Sequence, residues 1–255
     1  MKGNTKMKFT TLGTNGWFDN ENGATMCSLI QTEKINIILD AGFGIRKIKG
    51  ILDFSLPTVI LLTHLHLDHT VGLHLLDYFR FDLPVKFVVP AGMKDAFLTL
   101  CASPYTNDIH RSLPNGFELY DTNELDRAGL PFKVSALPLC HPVPDFGYRL
   151  EIEGKTIAYL CDTGYCANAV ELARNADLVL SECGELPGRV KENWPHMEPN
   201  VCAKLALEAN VKQMVLTHFG AGVYSTMDIR KNSVESARSV FPNLIAAVDN
   251  MEIVL

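Results

Sequence analysis

The sequence predicts an α+β chain, an αββα sandwich of two mixed β-sheets flanked by helices, with its polar site on loops at one edge. Three observations point there. Short apolar runs of strand length recur along all 255 residues, with helical stretches interspersed in both halves. Several of these runs end in His or Asp, at His64, His141, Asp162 and His218, with Asp40 as a fifth candidate. No Pro-rich linker, low-complexity segment or charge run divides the chain, so residues 1–255 read as a single domain.

Taken in order, Lys8 to Gly13 is a first strand, and Thr14 to Gly23 a Gly- and Asn-rich loop carrying Trp17 and Phe18. Met26 to Thr32 and Lys34 to Leu39 form a hairpin that ends in Asp40. Gly44 to Gly50 is a linker or short helix. Val59 to Leu62, apolar throughout, is a strand buried on both faces. Thr70 to Phe79 is a helix with Val71, Leu75, Leu76 and Phe79 on its apolar face. Val85 to Val89 is a strand and Gly92 to Leu100 a helix. Ser103 to Leu130 is polar and punctuated by Pro and Gly, a lid or an ordinary insertion. Then follow strands from Phe132 towards Cys140, over Tyr148–Ile152, Thr156–Leu160, Leu178–Leu180, Gln213–Leu216 and Leu244–Val248, and a closing strand to Leu255. Pro199 to Ala209 is a helix, with Pro199 favourable at its first position.

Composition narrows the function classes. Hydrophobic residues make up 47% of the chain, enough for a sizeable core. The net charge of −6 lacks the basic footprint of a non-specific nucleic-acid binder, which favours a small substrate over nucleic acid. The seven cysteines are scattered without a CxxC pair, and no apolar leader opens the chain, so a cytoplasmic setting is expected. Most of them lie in apolar runs and read as small buried hydrophobes. No apolar run approaches membrane-spanning length.

The chemistry concentrates in Thr63-His64-Leu65-His66-Leu67-Asp68-His69, where the buried strand hands over to the helix. The carboxyl end of a strand is where open α/β sheets build sites. Neutral imidazoles with carboxylates suit Zn, Mn or Fe. Asp40 reads as a support for a ligand imidazole, with direct ligation as the alternative. A single Asp after a strand is often only a turn residue, but the recurrence at several strand ends points to a shared site. His74 and His110 are isolated and carry no assigned role.

Together these residues resemble the metallo-β-lactamase superfamily, a four-layer fold, over essentially the whole chain from Asp40 onward. The resemblance implies two divalent metal ions, Zn with Mn or Fe as alternatives. His64, His66 and His141 would bind the first, Asp68, His69 and His218 the second, and Asp162 would bridge them together with a water or hydroxide. True β-lactamases do not combine Asp68-His69 with a bridging Asp162. Flavodiiron oxidoreductases carry a Glu in the His motif and an appended flavin domain. Glyoxalase II shares the ligands but adds a helical glutathione-binding domain.

Trp194-Pro195-His196-Met197-Glu198-Pro199 resembles the His-containing motif of ribonuclease Z and related phosphodiesterases, as Ser181-Glu182-Cys183 resembles the Glu segment before it. This implies that His196 contacts the scissile phosphate and protonates the leaving oxygen. The alternative is a loop histidine stacked on Trp194. Only a short strand pair fills the interval where ribonuclease Z carries its tRNA-binding arm. The expectation is therefore a metal-dependent phosphodiesterase acting on a small phosphodiester or an RNA end, with Asp68 and His196 catalytic. Its rivals are a thioesterase of glyoxalase II type and a metal-binding protein without turnover. Pocket walls are expected from Trp17, residues 103–130 and residues 185–194, and the resemblance suggests a homodimer.

Overall fold

Two β-sheets, one in each of two units, carry the strand ends singled out by the sequence. The computed structural model describes residues 7–191 and 194–255. The first unit comprises Met1–Gly13, Ala24–Leu130 and Asp249–Leu255, the second Thr14–Gly23 and Pro131–Val248. Glu192 and Asn193, within the expected wall over residues 185–194, lie outside the described residues.

In the first unit, seven strands lie in the order Glu252–Val254, Lys8–Gly13, Cys27–Gln31, Asn36–Leu39, Thr58–Leu61, Val85–Val89, Phe117–Asp121. Pairing is antiparallel up to Asn36–Leu39 and parallel from there on. Alternate residues Ile38, Ile60 and Phe87 pack with Ile45, Leu73, Leu76 and Phe97 from the helical segments. Ile37, Leu39, Val59, Leu61 and Val88, on the opposite face, are fully buried as well. Burial on both faces explains why these strands read as unbroken apolar runs.

Two expectations take their specific form here. Leu67–Thr70 is a single α-helical turn, and Val71–Tyr78 continues as a 3₁₀ helix rather than an α-helix. Three residues per turn put Leu73, Leu76 and Phe79 inward, while Val71 is 38% exposed. The polar stretch 103–130 is largely structure of the unit. Ile109–Ser112 is a helical turn and Phe117–Asp121 is the edge strand on Val85–Val89.

In the second unit, six strands lie in the order Leu244–Ala246, Met214–Thr217, Leu178–Glu182, Lys155–Leu160, Phe146–Ile152, Lys133–Pro138. The first four are parallel and the last two join antiparallel. Ala158, Leu160, Val179 and Leu216 pack with Leu172, Ala203, Ala206, Val234 and Ala237 from helices Ala167–Ala173, Pro199–Glu208 and Met227–Ala237. The first and last of these helices were not expected from the sequence. Thr226 caps the last, its Oγ1 accepting from the Ile229 N–H at 3.2 Å. Glu198 does not cap its own helix; its carboxylate accepts the Gly188 N–H instead. Asn15–Gly16 and Phe219–Gly220 pair as a two-residue parallel ribbon. Among the described residues, no helix is long and apolar enough to cross a membrane.

Parallel pairing brings the carboxyl ends of a unit's strands to one edge. In the first unit Asp40 and His64 follow Leu39 and Leu61, which are paired across the sheet. In the second, Asp162, Glu182 and His218 stand at the ends of Lys155–Leu160, Leu178–Glu182 and Met214–Thr217. Asp40, Asp162 and His218 each take a left-handed φ, 57°, 47° and 48°. Non-glycine residues are uncommon there, with Asp and His among the more tolerant, and such residues cluster at functional sites.

Candidate metal centre

The first unit brings His64, His66, Asp68 and His69 together, with Asp40 against His69. The fully buried Asp40 carboxylate accepts from the Thr63 N–H at 2.8 Å and the Thr63 hydroxyl at 2.9 Å. Across the loop, His69 Nδ1 lies 2.8 Å from Asp40 Oδ2. A carboxylate can only accept there, so Nδ1 carries the proton and Nε2 presents its lone pair. Asp68 Oδ2 is 3.6 Å from that Nε2. The His64 ring lies 4.6 Å from that of His66 and 4.2 Å from that of His69, centre to centre. His64 and His66 offer ring nitrogens within 4.8 Å of one another, and Asp68 and His69 offer a similar pair. Asp40 thus supports His69. Its replacement by Ala is expected to weaken zinc binding about 10–100-fold, measured by competition with a chelating dye.

The second unit groups His141, Asp162, Glu182, His196 and His218. His218 Nε2 is 2.9 Å from Asp162 Oδ1. His141 and Asp162 also have donor atoms within 4.8 Å of each other. Gly16 backs the His218 imidazole so closely that a Cβ there would lie 2.4 Å from the ring, which excludes any side chain at that position. The His196 ring lies 6.1 Å from that of His141 and 5.9 Å from that of His218, nearly parallel to the latter. His74 and His110 are not in these groups; His74 stacks on Phe43 at 6.3 Å and His110 lies 5.1 Å from the Phe117 ring.

One carboxylate emerges that sequence reasoning did not place, Asp145, and a second, Glu182, gains partners that its motif did not indicate. Asp145, buried, stands 3.8 Å from His141 Nδ1, four residues along the chain. That spacing was the available signal, but a loop hides it. Glu182 is fully buried and accepts backbone N–H bonds from Thr163 at 3.3 Å, Gly184 at 2.7 Å and Met197 at 2.7 Å. His196 Nδ1 lies 3.4 Å from the same carboxylate. Burial works against protonation of His196, but Glu182 outweighs it with help from Asp162 and holds the pKa above the usual 6.5. Glu182→Ala would strand three buried donors; a loss of about 3 kcal/mol in urea unfolding is expected.

The donors fit divalent metal. They are imidazoles and carboxylates, most of them buried, and at His69 the Asp40 contact at Nδ1 leaves Nε2 with its lone pair. Three of the cysteines are poor thiolate ligands. Burial pushes the Cys101 thiol up to about 12, and the Cys27 and Cys202 thiols well up too.

A family model described as a beta-lactamase superfamily domain matches residues 35–219. Probable metallo-hydrolase YhfI of Bacillus subtilis is 25% identical, over 92% of this chain and 94% of its own. Ribonuclease Z of Nocardia farcinica is 25% identical, over 81% of this chain and 85% of its own. Among solved structures, the metallo-β-lactamase fold protein YhfI from B. subtilis aligns with a TM-score of 0.77 at 24% identity, over 97% of this chain and 99% of that one. Human tRNase Z, short form, aligns with a TM-score of 0.73 at 24% identity, over 97% and 98%. A diphosphatase of the PhnP family aligns with a TM-score of 0.71 at 16% identity, over 98% of both chains. The chain belongs to the metallo-β-lactamase superfamily of metal-dependent hydrolases.

Proposed function

We propose that this chain is a dinuclear metallohydrolase, residues 1–255 forming one hydrolase domain, that cleaves a small phosphodiester or an RNA end. The observation that carries this reading is His196. It stands beside two candidate metal ligands, its side chain 26% exposed, with a buried carboxylate behind it. An oxyanion leaving group needs such an acid; a thiolate does not. Relatives bearing the names ribonuclease Z and diphosphatase support the same choice.

In this proposal His64, His66 and His141 hold one ion, Asp68, His69 and His218 the other, and Asp162 serves both, its charge offsetting two dications. Zn is the first candidate, Mn or Fe the alternatives. When bound, the two ions supply a water nucleophilic at neutral pH and neutralise charge on the phosphate oxygens. Asp68, besides ligating, accepts a hydrogen bond from the attacking water and so orients it. His196 keeps Nδ1 towards Glu182, leaving Nε2 to hand its proton to the leaving oxygen. Asp40 holds His69 in the ligating tautomer.

The test compares substrate classes. Zn- and Mn-loaded protein is expected to hydrolyse bis(p-nitrophenyl) phosphate faster than S-lactoylglutathione, a thioester. Faster thioester turnover would move the assignment to the thioesterase class. Tight metal with no turnover of either would favour a binding role.

A further inference from the structure

The loop Thr14–Gly23 of the second unit presents two aromatic rings to solvent. Trp17 is 76% exposed and Phe18 43%. Their rings meet edge to face, 5.5 Å apart. The backbone beneath them is unusual. Phe18 N donates to Gly16 O at 3.1 Å, closing a γ-turn around Trp17, whose φ is 78°. That hand of γ-turn is the rare, strained one, and a bulky residue at its apex is an outlier. The position thus costs backbone strain and apolar exposure together, neither of which helps folding.

The loop is also held firmly. Asn15 Nδ2 donates to Asn20 Oδ1 and Gly23 O, each at 2.9 Å, and to Phe18 O at 3.3 Å. The buried Arg230 donates to Asn15 Oδ1 at 2.8 Å and Thr14 Oγ1 at 3.0 Å, and its guanidinium lies over the Phe219 ring. Phe219 follows His218, and Gly16, which precedes Trp17, backs the His218 ring. One hydrogen-bonded substructure therefore carries a candidate metal ligand and the aromatic pair.

We propose that Trp17, with Phe18 at its edge, is a stacking platform for a nucleobase, so that the substrate is a nucleotide phosphodiester. This rests on the phosphodiesterase reading above. An indole face binds any base by stacking, without hydrogen-bond readout, and Trp17 directly follows Gly16, which backs the candidate ligand His218.

Trp17→Gly is the decisive variant, because glycine takes the positive φ freely. Its Tm is expected to equal or exceed that of the parent. Its KM for adenosine 2′,3′-cyclic phosphate should rise about tenfold, the order of one lost base–aromatic stack, with kcat nearly unchanged. Its KM for glycerol 1,2-cyclic phosphate, which lacks a base, should not move. Separately, with Trp194→Phe leaving Trp17 as the one remaining tryptophan of two, AMP should quench its fluorescence saturably and ribose 5-phosphate should not. Unchanged KM for both diesters, or a shift only in oligomeric state, overturns the platform. Quenching by AMP in a protein that cleaves no diester upholds the platform and overturns the phosphodiesterase reading.

Discussion

Asp162→Asn is expected to lower hydrolysis by roughly three orders of magnitude and to reduce bound metal, because it removes the anion assigned to serve both ions. Asn tolerates the left-handed φ of 47° at this position, so the backbone turn should survive. The amide also keeps an oxygen near His218 Nε2, now 2.9 Å from the carboxylate. What is lost is charge, and two dications in one site need it. His64→Ala should match this loss from the other unit. Both are read by metal analysis beside initial rates. Full metal content with a parental rate in either variant would refute the ligand assignment.

His196→Ala should behave differently. A general acid contributes about 10²–10⁴-fold, and turnover is expected to fall in that range while metal content stays unchanged. The loss should be larger for diesters with an alkoxide leaving group than for p-nitrophenyl esters, whose leaving oxygen needs little protonation. Equal losses on both would argue against proton donation. A stoichiometric loss of metal would make His196 a ligand, an outcome to which its proximity to Glu182 and His218 gives substance. Together the two experiments separate residues that hold metal from the residue that moves a proton.

Much of this was legible in the chain itself. His64, His66, Asp68 and His69 sit within one turn of sequence, so their proximity needs only local geometry. The strand ends at Asp162 and His218 were legible because parallel strands, buried on both faces, read as apolar runs that stop abruptly. What the sequence left open depends on contacts between distant segments. The partner of Asp40 is His69, 29 residues away, and only the fold brings the two within 2.8 Å. Glu182 becomes a hub only when Thr163 and Met197 fold back onto it. Phe117–Asp121 looks polar because an edge strand needs no buried second face, and only its register on Val85–Val89 makes it a strand. Val71–Tyr78 carries an apolar pattern compatible with two helix types, and packing chose the tighter one. The sequence by itself determined the candidate donor types and the order of the elements that carry them, since both are written in local residue type and period. Only the tertiary structure decided tautomer, hydrogen-bond partner and the strained turn at Trp17, because each is set by long-range neighbours that no local pattern encodes.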